Sequence, residues 1–311
     1  MGNLLFLHAQ TALHAGSGAA TAAADLAIQR ERHTMWPMIQ GASVKGVLRD
    51  ACRLKSAQGN GGDLKAADNS DDIVAAFGPP AASGSSSDNA GAIAVTDARL
   101  ALFPVRSLKG VFAWVTCASA IERLARDAAL AGVVSLPDGI TGLNANNGSA
   151  VTAPDCPCII DGTSLLLEEF DFKAAQDASG ALAALGKWFA DNALPDGKEY
   201  KGLRDRLVNS IVVLSDDDYS HFVRYATIIE THIALDYKTK TVKDGALFYQ
   251  EFLPPECLLY SVLLFNDSRR KGVGKTADDF RAMLQGVAHG AVIQIGGNET
   301  TGKGFCRARI V

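Results

Sequence analysis

The sequence predicts an α+β fold built around an antiparallel sheet, because segments with strand and helix patterns follow one another in mixed order. Residues 3–13 form a β-like run, and apolar and polar residues alternate in residues 92–105 and 111–117. Residues 117–132 then follow a helical period and end at Gly132, a common helix stop signal. This order of strands and helices is typical of a ferredoxin-like fold that carries large insertions.

The other elements are placed by the same patterns. Residues 43–55 predict an amphipathic helix with Ser43 as its N-cap, because Val44, Val47 and Leu48 share one face. The remaining predicted elements are a helix at about 181–193, a strand that begins at 211, two alternating strands at 230–236 and 246–253 joined by a tip at 237–245, a helix at 277–288, and strands at 291–295 and 305–311.

Basic charge is segregated along the chain, although the formal net charge is only −4. Residues 25–55 hold six Lys or Arg and three acidic residues, whereas residues 63–97 hold six Asp and one Lys. Binding of nucleic acid through bulk charge is therefore not expected, but a basic face is available to contact phosphates. A solvated face is the alternative interpretation of such a run.

Cysteine usage predicts reduced thiols. Cys156 and Cys158 could supply half of a metal site, but no matching Cys or His pair follows them. The sequence shows neither the charged leader that would predict export nor the long uninterrupted apolar stretch that would predict membrane insertion. We therefore expect a cytoplasmic protein with no membrane partner.

A glycine-rich loop near the end of the chain, G-N-E-T-T-G-K-G at 297–304, almost matches the phosphate-binding loop of nucleotide hydrolases. Gly304 stands where that motif needs a Ser or Thr hydroxyl for Mg²⁺, so an NTPase is the disfavoured interpretation. Backbone amides beside Lys303 can still hold a phosphodiester. The loop therefore indicates contact with a nucleic-acid backbone.

Four segments resemble the RAMP superfamily of CRISPR RNA-binding proteins, and more narrowly the repeated backbone subunit of the Cmr (type III-B) effector complex. They are LHAQTALHAGSG, ADLAIQRERHTMWPMIQGASVKGVLRD, KTVKDGALFYQEFLPPECLLY and IGGNETTGKGFCRARIV. The most discriminating part is D-L-x-I-Q-R-E-R followed by G-x-S-x-K-G-x-L-R-D, whereas the glycine-rich loop alone is typical of the whole superfamily.

The resemblance implies a single domain over residues 1–311, with an RRM-like palm, a protruding thumb hairpin and helical or loop insertions. The palm is expected at 1–55, 92–132, 205–235 and 255–311, a low-complexity surface insertion at about 56–91, a second insertion at about 133–200, and the thumb at about 236–254. Without the resemblance, the thumb would be interpreted as an ordinary edge hairpin.

The resemblance also implies an endoribonuclease that holds guide RNA and cleaves complementary single-stranded target RNA at regular intervals by metal-dependent transesterification. The alternative is a non-catalytic structural filament subunit that binds RNA. Implied partners are the CRISPR guide RNA, the complementary target RNA, further copies of the chain and other Cmr complex subunits.

The site residues are carried over from the resemblance. Asp25 is the expected cleavage residue and the ligand of Mg²⁺ or Mn²⁺; on its own it would be interpreted as an N-cap or turn residue. His14, Glu230 and His232 are the other catalytic candidates, although a lone histidine is commonly structural. The expected RNA contacts are Gly16, Gly18, Ser43, Lys45, Arg49, Tyr237, Gly296, Gly297, Thr301 and Lys303.

Overall fold

A large, mostly antiparallel sheet runs through the chain in a computed structural model that describes residues 2–18, 24–59, 61–80, 90–132 and 136–311. Its strands and those of a smaller sheet are β1 (Gly2–Ala9), β2 (Met38–Ile39), β3 (Ile93–Val95), β4 (Ala98–Arg106), β5 (Phe112–Cys117), β6 (Ser149–Thr152), β7 (Ser164–Leu167), β8 (Phe170–Gln176), β9 (Ile211–Leu214), β10 (Ile228–His232), β11 (Phe248–Phe252), β12 (Leu258–Phe265), β13 (Val292–Gln294) and β14 (Phe305–Ile310).

Within the described residues the large sheet has twelve strands, ten of which follow the order β13-β14-β1-β12-β4-β5-β9-β6-β8-β7. Strands β2 and β3 pair with β4 and β12 beside this path. The pairs β5–β9 and β6–β8 are parallel and the others are antiparallel. The predicted α+β class with an antiparallel sheet is confirmed.

Helices cover both faces of this sheet. They are α1 (Gly41–Gly59), α2 (Leu64–Asp68), α3 (Asp71–Phe77), α4 (Ala118–Ala131), α5 (Ala181–Ala193), α6 (Lys201–Ser210), α7 (Asp216–Tyr225) and α8 (Ala277–Ala288). Successive residues of β1 alternate between two cores: Leu5 and Leu7 join the core that contains α1 and α8, and Leu4 and Phe6 join the core that contains α4 and α5. Because β1 is buried on both faces, its apolar residues follow one another without alternation. Burial of each such side chain stabilises the fold by about 1.5–3 kcal/mol.

Three predicted helices form as expected because their signals are local. Helix α4 ends at Gly132, which adopts the left-handed conformation (φ 68°). Helix α8 has the predicted bounds and begins with a capping box between Thr276 and Asp279. Helix α5 also occupies the predicted range.

The prediction that Ser43 caps α1 is wrong. The helix begins at Gly41, whose amide donates to Oδ1 of Asp97 over 2.7 Å. A Cβ at residue 41 would lie 2.5 Å from the carbonyl oxygen of Val95. A loop distant in sequence therefore supplies the capping carboxylate, and glycine permits the close approach.

The expectation that residues 56–91 stay on the surface is wrong for α3. Ile73, Ala76 and Phe77 are buried in the core that also contains residues of α1. The flanking Asp, Ser and Gly residues hide this short apolar run in the composition. Residue 60 and residues 81–89, which belong to the same predicted insertion, lie outside the described part of the chain.

The second predicted insertion, at about 133–200, extends the main sheet and both of its cores. It supplies β6, β7 and β8 to the sheet. Leu165 and Phe172 join the core that contains α1 and α8, and Trp188 and Phe189 of α5 join the other core, so the segment extends both. Residues 133–135 lie outside the described part.

The predicted hairpin is present as a separate two-stranded sheet of β10 and β11. Its register pairs Ile228 with Phe252 and His232 with Phe248, so both strands are shorter at the tip end than the sequence pattern predicts. In the tip, Oδ1 of Asp236 accepts hydrogen bonds from the Lys238 and Thr239 amides at 2.8 and 2.9 Å. That local turn ends the ladder.

The cysteines test the prediction of reduced thiols, and the helices test the prediction that no segment spans a membrane. All six cysteines are buried and unpaired, in agreement with their interpretation as free thiols. Among the residues given above, no helix combines the length and apolar character that crossing a bilayer requires.

Candidate functional site

Asp25 lies at the edge of the hairpin. Its Oδ2 accepts a hydrogen bond of 2.8 Å from the amide of Tyr249. The next residue continues the pairing, because Leu26 donates its amide to the Tyr249 carbonyl at 3.1 Å and accepts from the Glu251 amide at 2.9 Å. The exposed Asp25 carboxylate is thereby held in a defined position relative to β11.

A second group of site residues surrounds the ring of Phe252. The rings of His14 and His232 lie 5.5 and 6.4 Å from it, centroid to centroid, and the Lys303 ammonium lies 4.8 Å above it. Glu230 forms an ion pair with Lys303, and its Oε2 lies 4.0 Å from Nε2 of His232. Three predicted catalytic residues and one predicted RNA contact therefore converge at the hairpin base.

Asp25 contacts the hairpin at a different place from this cluster. Glu230, His232 and Phe252 share one face, and Tyr249 and Glu251 share the other. The Asp25 segment contacts the β11 edge that β10 leaves free. Among the described contacts, none joins the Asp25 carboxylate to Glu230 or His232.

His14 is buried and has a defined orientation. Its Nδ1 lies 2.7 Å from the Glu251 carbonyl oxygen, which can only accept, so Nδ1 carries the hydrogen and Nε2 carries the lone pair. A Cβ at Gly16 would lie 2.9 Å from Nε2, so the glycine keeps that nitrogen uncovered. The orientation leaves Nε2 as the atom that can exchange a proton.

The glycine-rich loop packs directly against His14. The Gly297 amide donates to the His14 carbonyl over 3.0 Å. Gly296 has φ 85°, and a Cβ there would lie 2.1 Å from the same carbonyl oxygen. Glycine is therefore required at residue 296 by both the backbone conformation and the close contact.

Asn298 fixes the shape of this loop. Its carbonyl accepts from the amides of Thr301 and Lys303 at 3.1 Å each and from the Thr301 hydroxyl at 2.9 Å. Its side-chain amide exchanges hydrogen bonds with Gln250 on β11. The loop leads into β14 where a nucleotide-hydrolase loop would lead into a helix. This geometry contradicts the NTPase alternative.

Two of the predicted contacts on α1, Lys45 and Arg49, lie in a different groove, of about 450 Å³, which Arg53 and Asp68 also line. The guanidinium of Arg49 donates to Asp68 and to the Gly78 carbonyl, so it holds α1 to the segment that follows. Burial, and then the charge of Arg49, lowers the pKa of Lys45. Of Lys45 and Arg49, only Arg49 pairs with an acidic side chain among the residues that the structure describes.

The remaining predicted contacts are exposed or half-buried. Tyr237 lies at the hairpin tip with 86% of its surface exposed. Gly18 is exposed, with φ 73°, and Ser43 lies half-buried in the first turn of α1. No contact among the described residues joins these three to the cluster around Phe252.

The described residues do not fit a resident divalent cation. They contain no group of three or more His, Cys, Asp or Glu side chains placed to hold a metal ion. Asp25 supplies one carboxylate, and its Oδ2 already accepts from Tyr249. A protein-built Mg²⁺ or Mn²⁺ site needs more oxygen ligands than this. The predicted metal role of Asp25 therefore stays a prediction.

Sequence patterns gave no indication of Phe252, Gln250 or Asn298, although each of them organises the site. Asn298 lies inside the glycine-rich loop, where an asparagine with φ 67° marks a tight turn. Phe252 and Gln250 are strand residues whose roles depend on partners distant in sequence.

The large, mostly antiparallel sheet, the separate hairpin and the glycine-rich loop at its base define an α+β protein. The chain belongs to the RAMP superfamily, whose family model matches residues 6–307. It is 34% identical over 310 residues to the CRISPR system Cmr endoribonuclease Cmr4 of Pyrococcus furiosus, with 99% of this chain and 95% of that protein covered.

Solved structures of related proteins have the same fold as this chain. The crystal structure of oligomeric Cmr4 from Pyrococcus furiosus matches with a TM-score of 0.71 at 30% identity and covers 99% of this chain and 97% of that one. A chain of the type III-B Cmr-beta complex bound to cognate target RNA, at 21% identity, has the same fold with a TM-score of 0.71, covering 100% and 97% of the two chains. The predicted family and fold are confirmed.

Proposed function

We propose that the chain is the repeated backbone subunit of a type III-B CRISPR effector complex and that it cleaves target RNA paired to the guide. The observation that carries the proposal is the meeting of four segments at the hairpin base, in a chain that is 34% identical to a Cmr endoribonuclease. Copies of the chain, other Cmr subunits, guide RNA and target RNA are the proposed partners.

RNA binding is assigned to backbone and cationic groups. Gly296, Gly297 and Thr301 shape a loop whose Lys303 can exchange its Glu230 partner for a phosphate. Lys45 supplies a second cation on α1. Such contacts add affinity without reading sequence, as a subunit that accepts any guide requires.

The proposed reaction is transesterification. The 2′-oxygen of one nucleotide attacks the adjacent phosphorus, the bond to the 5′-oxygen breaks, and the products carry a 2′,3′-cyclic phosphate and a 5′-hydroxyl. Asp25 is proposed to orient the 2′-hydroxyl and accept its proton, because its carboxylate is exposed and held in position. His14, once Nε2 also carries a proton, and His232 are the imidazoles proposed to protonate the leaving 5′-oxygen.

The proposal includes a requirement for Mg²⁺ or Mn²⁺ in the cleavage of target RNA. Among the described residues Asp25 offers one carboxylate for such an ion, so a cation bound there would depend on further ligands from RNA or water. Chelation by EDTA tests it: loss of cutting that returns when Mg²⁺ or Mn²⁺ is added back supports the requirement, and unchanged cutting contradicts it.

The decisive experiment uses the guide-loaded complex and labelled complementary RNA, with binding and cutting measured separately. Asp25→Ala is expected to abolish regularly spaced cuts and to leave target binding intact. Asp171→Ala, an exposed aspartate on β8, is the matched control and should cut like the wild type. A 2′-deoxy nucleotide at the cleaved position should also block cutting.

The alternative is a structural RNA-binding subunit that does not cut. It is favoured by the absence of a metal-holding cluster from the described residues. Cutting that continues unchanged in the Asp25→Ala complex would place catalysis elsewhere and establish this alternative.

A further inference from the structure

Arg30, in the segment I-Q-R-E-R after Asp25, forms a buried ion pair with Glu251 on β11. The proposed reaction gives this pair no role. Nη2 of Arg30 lies 2.5 Å from Oε1 of Glu251. The side chains of Arg30 and Glu251 are only 11% and 7% exposed. A pair held this far from water is costly to break, because either partner alone would be an uncompensated charge.

Each partner of this pair joins further segments. Glu251 also accepts from the Thr227 hydroxyl at 2.9 Å and from the Ile28 amide at 3.1 Å. Arg30 donates to the Met35 carbonyl at 2.9 Å and to the Val223 carbonyl, in the last turn of α7, at 3.0 Å. The ion pair therefore ties the segment that carries Asp25 to the hairpin and to α7.

The pair acts close to Asp25 along both chains. Arg30 follows Asp25 by five residues on one segment, and Glu251 follows Tyr249 by two residues on β11. The hydrogen bond between Asp25 and the Tyr249 amide lies between these two segments, on the same short ladder. The next residue, Glu31, anchors the segment to α4 by accepting from Arg123 over 2.6 Å.

We propose that Arg30 and Glu251 are positioning residues that hold the Asp25 carboxylate against β11 for cleavage of the target RNA. The inference rests on the proposed function. The pair touches no reacting atom; it fixes the segment on which Asp25 stands. A displacement of a catalytic group by about 1 Å can lower a rate by about 100-fold.

The test uses Glu251→Gln in the guide-loaded complex, because glutamine keeps the shape and an acceptor oxygen and removes the charge. We expect the single-turnover cutting rate at saturating complex to fall about 10- to 100-fold, with the half-saturating concentration for target RNA unchanged. Arg30→Lys keeps the charge without the guanidinium fork and should retain more activity than Arg30→Gln.

Asp191→Asn is the matched control. It removes the charge from a second arginine–carboxylate pair, with Arg204 at 2.7 Å in the α5–α6 region, whose side chains are more exposed than those of Arg30 and Glu251. The control should cut like the wild type. Wild-type cutting in Glu251→Gln would overturn the inference, and so would loss of target binding together with cutting, since that result indicates a general structural defect.

Hydrogen exchange separates this inference from the proposed function. The amides of Leu26, Tyr249 and Glu251 should exchange faster in Glu251→Gln than in the wild type or in Asp191→Asn, and unchanged exchange would overturn the inference. If Asp25→Ala stops cutting while Glu251→Gln does not, only the positioning role fails. If the wild type does not cut, the proposed function fails, and the exchange rates still decide whether the pair holds the Asp25 segment.

Discussion

The ammonium of Lys303 forms an ion pair with the carboxylate of Glu230, and this pair joins the glycine-rich loop to the base of the hairpin. Both side chains are partly exposed, at 20% and 34%. A phosphate that binds Lys303 must therefore compete with a carboxylate already in place. The competition gives opposite predictions for the two partners.

Lys303→Met should weaken RNA binding and make it less sensitive to salt. Removing one phosphate contact lowers the slope of log K against log salt by about 0.7 for a single strand. A filter-binding titration over several salt concentrations measures both quantities. Lys187→Met, which removes an equally charged residue from α5, should leave the slope unchanged. An unchanged slope in Lys303→Met would show that this lysine contacts no phosphate.

Glu230→Gln should have the opposite effect on binding. The variant removes the competing carboxylate and frees Lys303, so RNA affinity should rise while cutting falls. The same titration, combined with a cleavage assay, separates the two effects. Weaker binding in Glu230→Gln would mean that the ion pair orders Lys303 for RNA.

The close approach of Gly296 to His14 predicts a graded series of glycine substitutions. Gly274→Ala should change the unfolding free energy by less than about 0.5 kcal/mol, because the site is open and its backbone is not left-handed. Gly302→Ala should cost about 1–2 kcal/mol, because φ is 81° but nothing lies near the new Cβ. Gly296→Ala should cost more than either, because it adds a collision with the His14 carbonyl to the same strain.

Denaturant unfolding of the three variants measures this order. Gly296→Ala should also weaken RNA binding, since the loop can no longer rest on His14, whereas Gly274→Ala should not. Equal costs for Gly296→Ala and Gly302→Ala would show that the loop relaxes away from His14 without penalty.

Tyr237 at the hairpin tip should matter for RNA and not for stability. Its side chain is 86% exposed, so Tyr237→Ala should change the unfolding free energy by less than about 0.5 kcal/mol. If the ring stacks on a base, target affinity should fall by about 1–3 kcal/mol. Tyr225→Ala, at an exposed tyrosine on α7, is the control and should bind target RNA like the wild type. Unchanged affinity in Tyr237→Ala would remove this residue from the interface.

Features that depend on neighbours in sequence were predictable. The stop of α4 at Gly132, the extent of α8 and the existence of the hairpin follow from local caps and alternation. The resemblance predicted roles for His14, Glu230, His232 and Lys303, and the structure brings these residues together; their roles stay a prediction. Their common neighbour Phe252 carries no local signal.

Features that depend on distant partners were not predictable. The start of α1 depends on a hydrogen bond from Gly41 to Asp97. The guanidinium of Arg49 donates to Asp68 and to the Gly78 carbonyl. Sequence spacing reveals neither contact. The pairing of Arg30 with Glu251 joins residues more than two hundred positions apart, and only the folded sheet brings them into contact.

The buried thiol of Cys52 predicts a loss of stability at alkaline pH. Burial, with a smaller opposing effect of Lys55, raises the pKa of Cys52 from its ordinary value of 9.0 to about 12. Between these values the unfolded chain releases the proton and the folded chain keeps it. The stabilising contribution is thus fully present below pH 9 and is lost as pH rises toward 12.

Between pH 8 and pH 10 this thiol should cost the protein about 1.4 kcal/mol of unfolding free energy. Cys52→Ala should therefore lose about 1.4 kcal/mol less than the wild type over that interval, whatever its stability at pH 8. Denaturant titrations of both proteins at the two pH values provide the comparison. Cys306→Ala should behave likewise, because burial raises the pKa of Cys306 to about 12 as well. Parallel losses in wild type and variants would mean that these thiols ionise alike in the folded and unfolded chains.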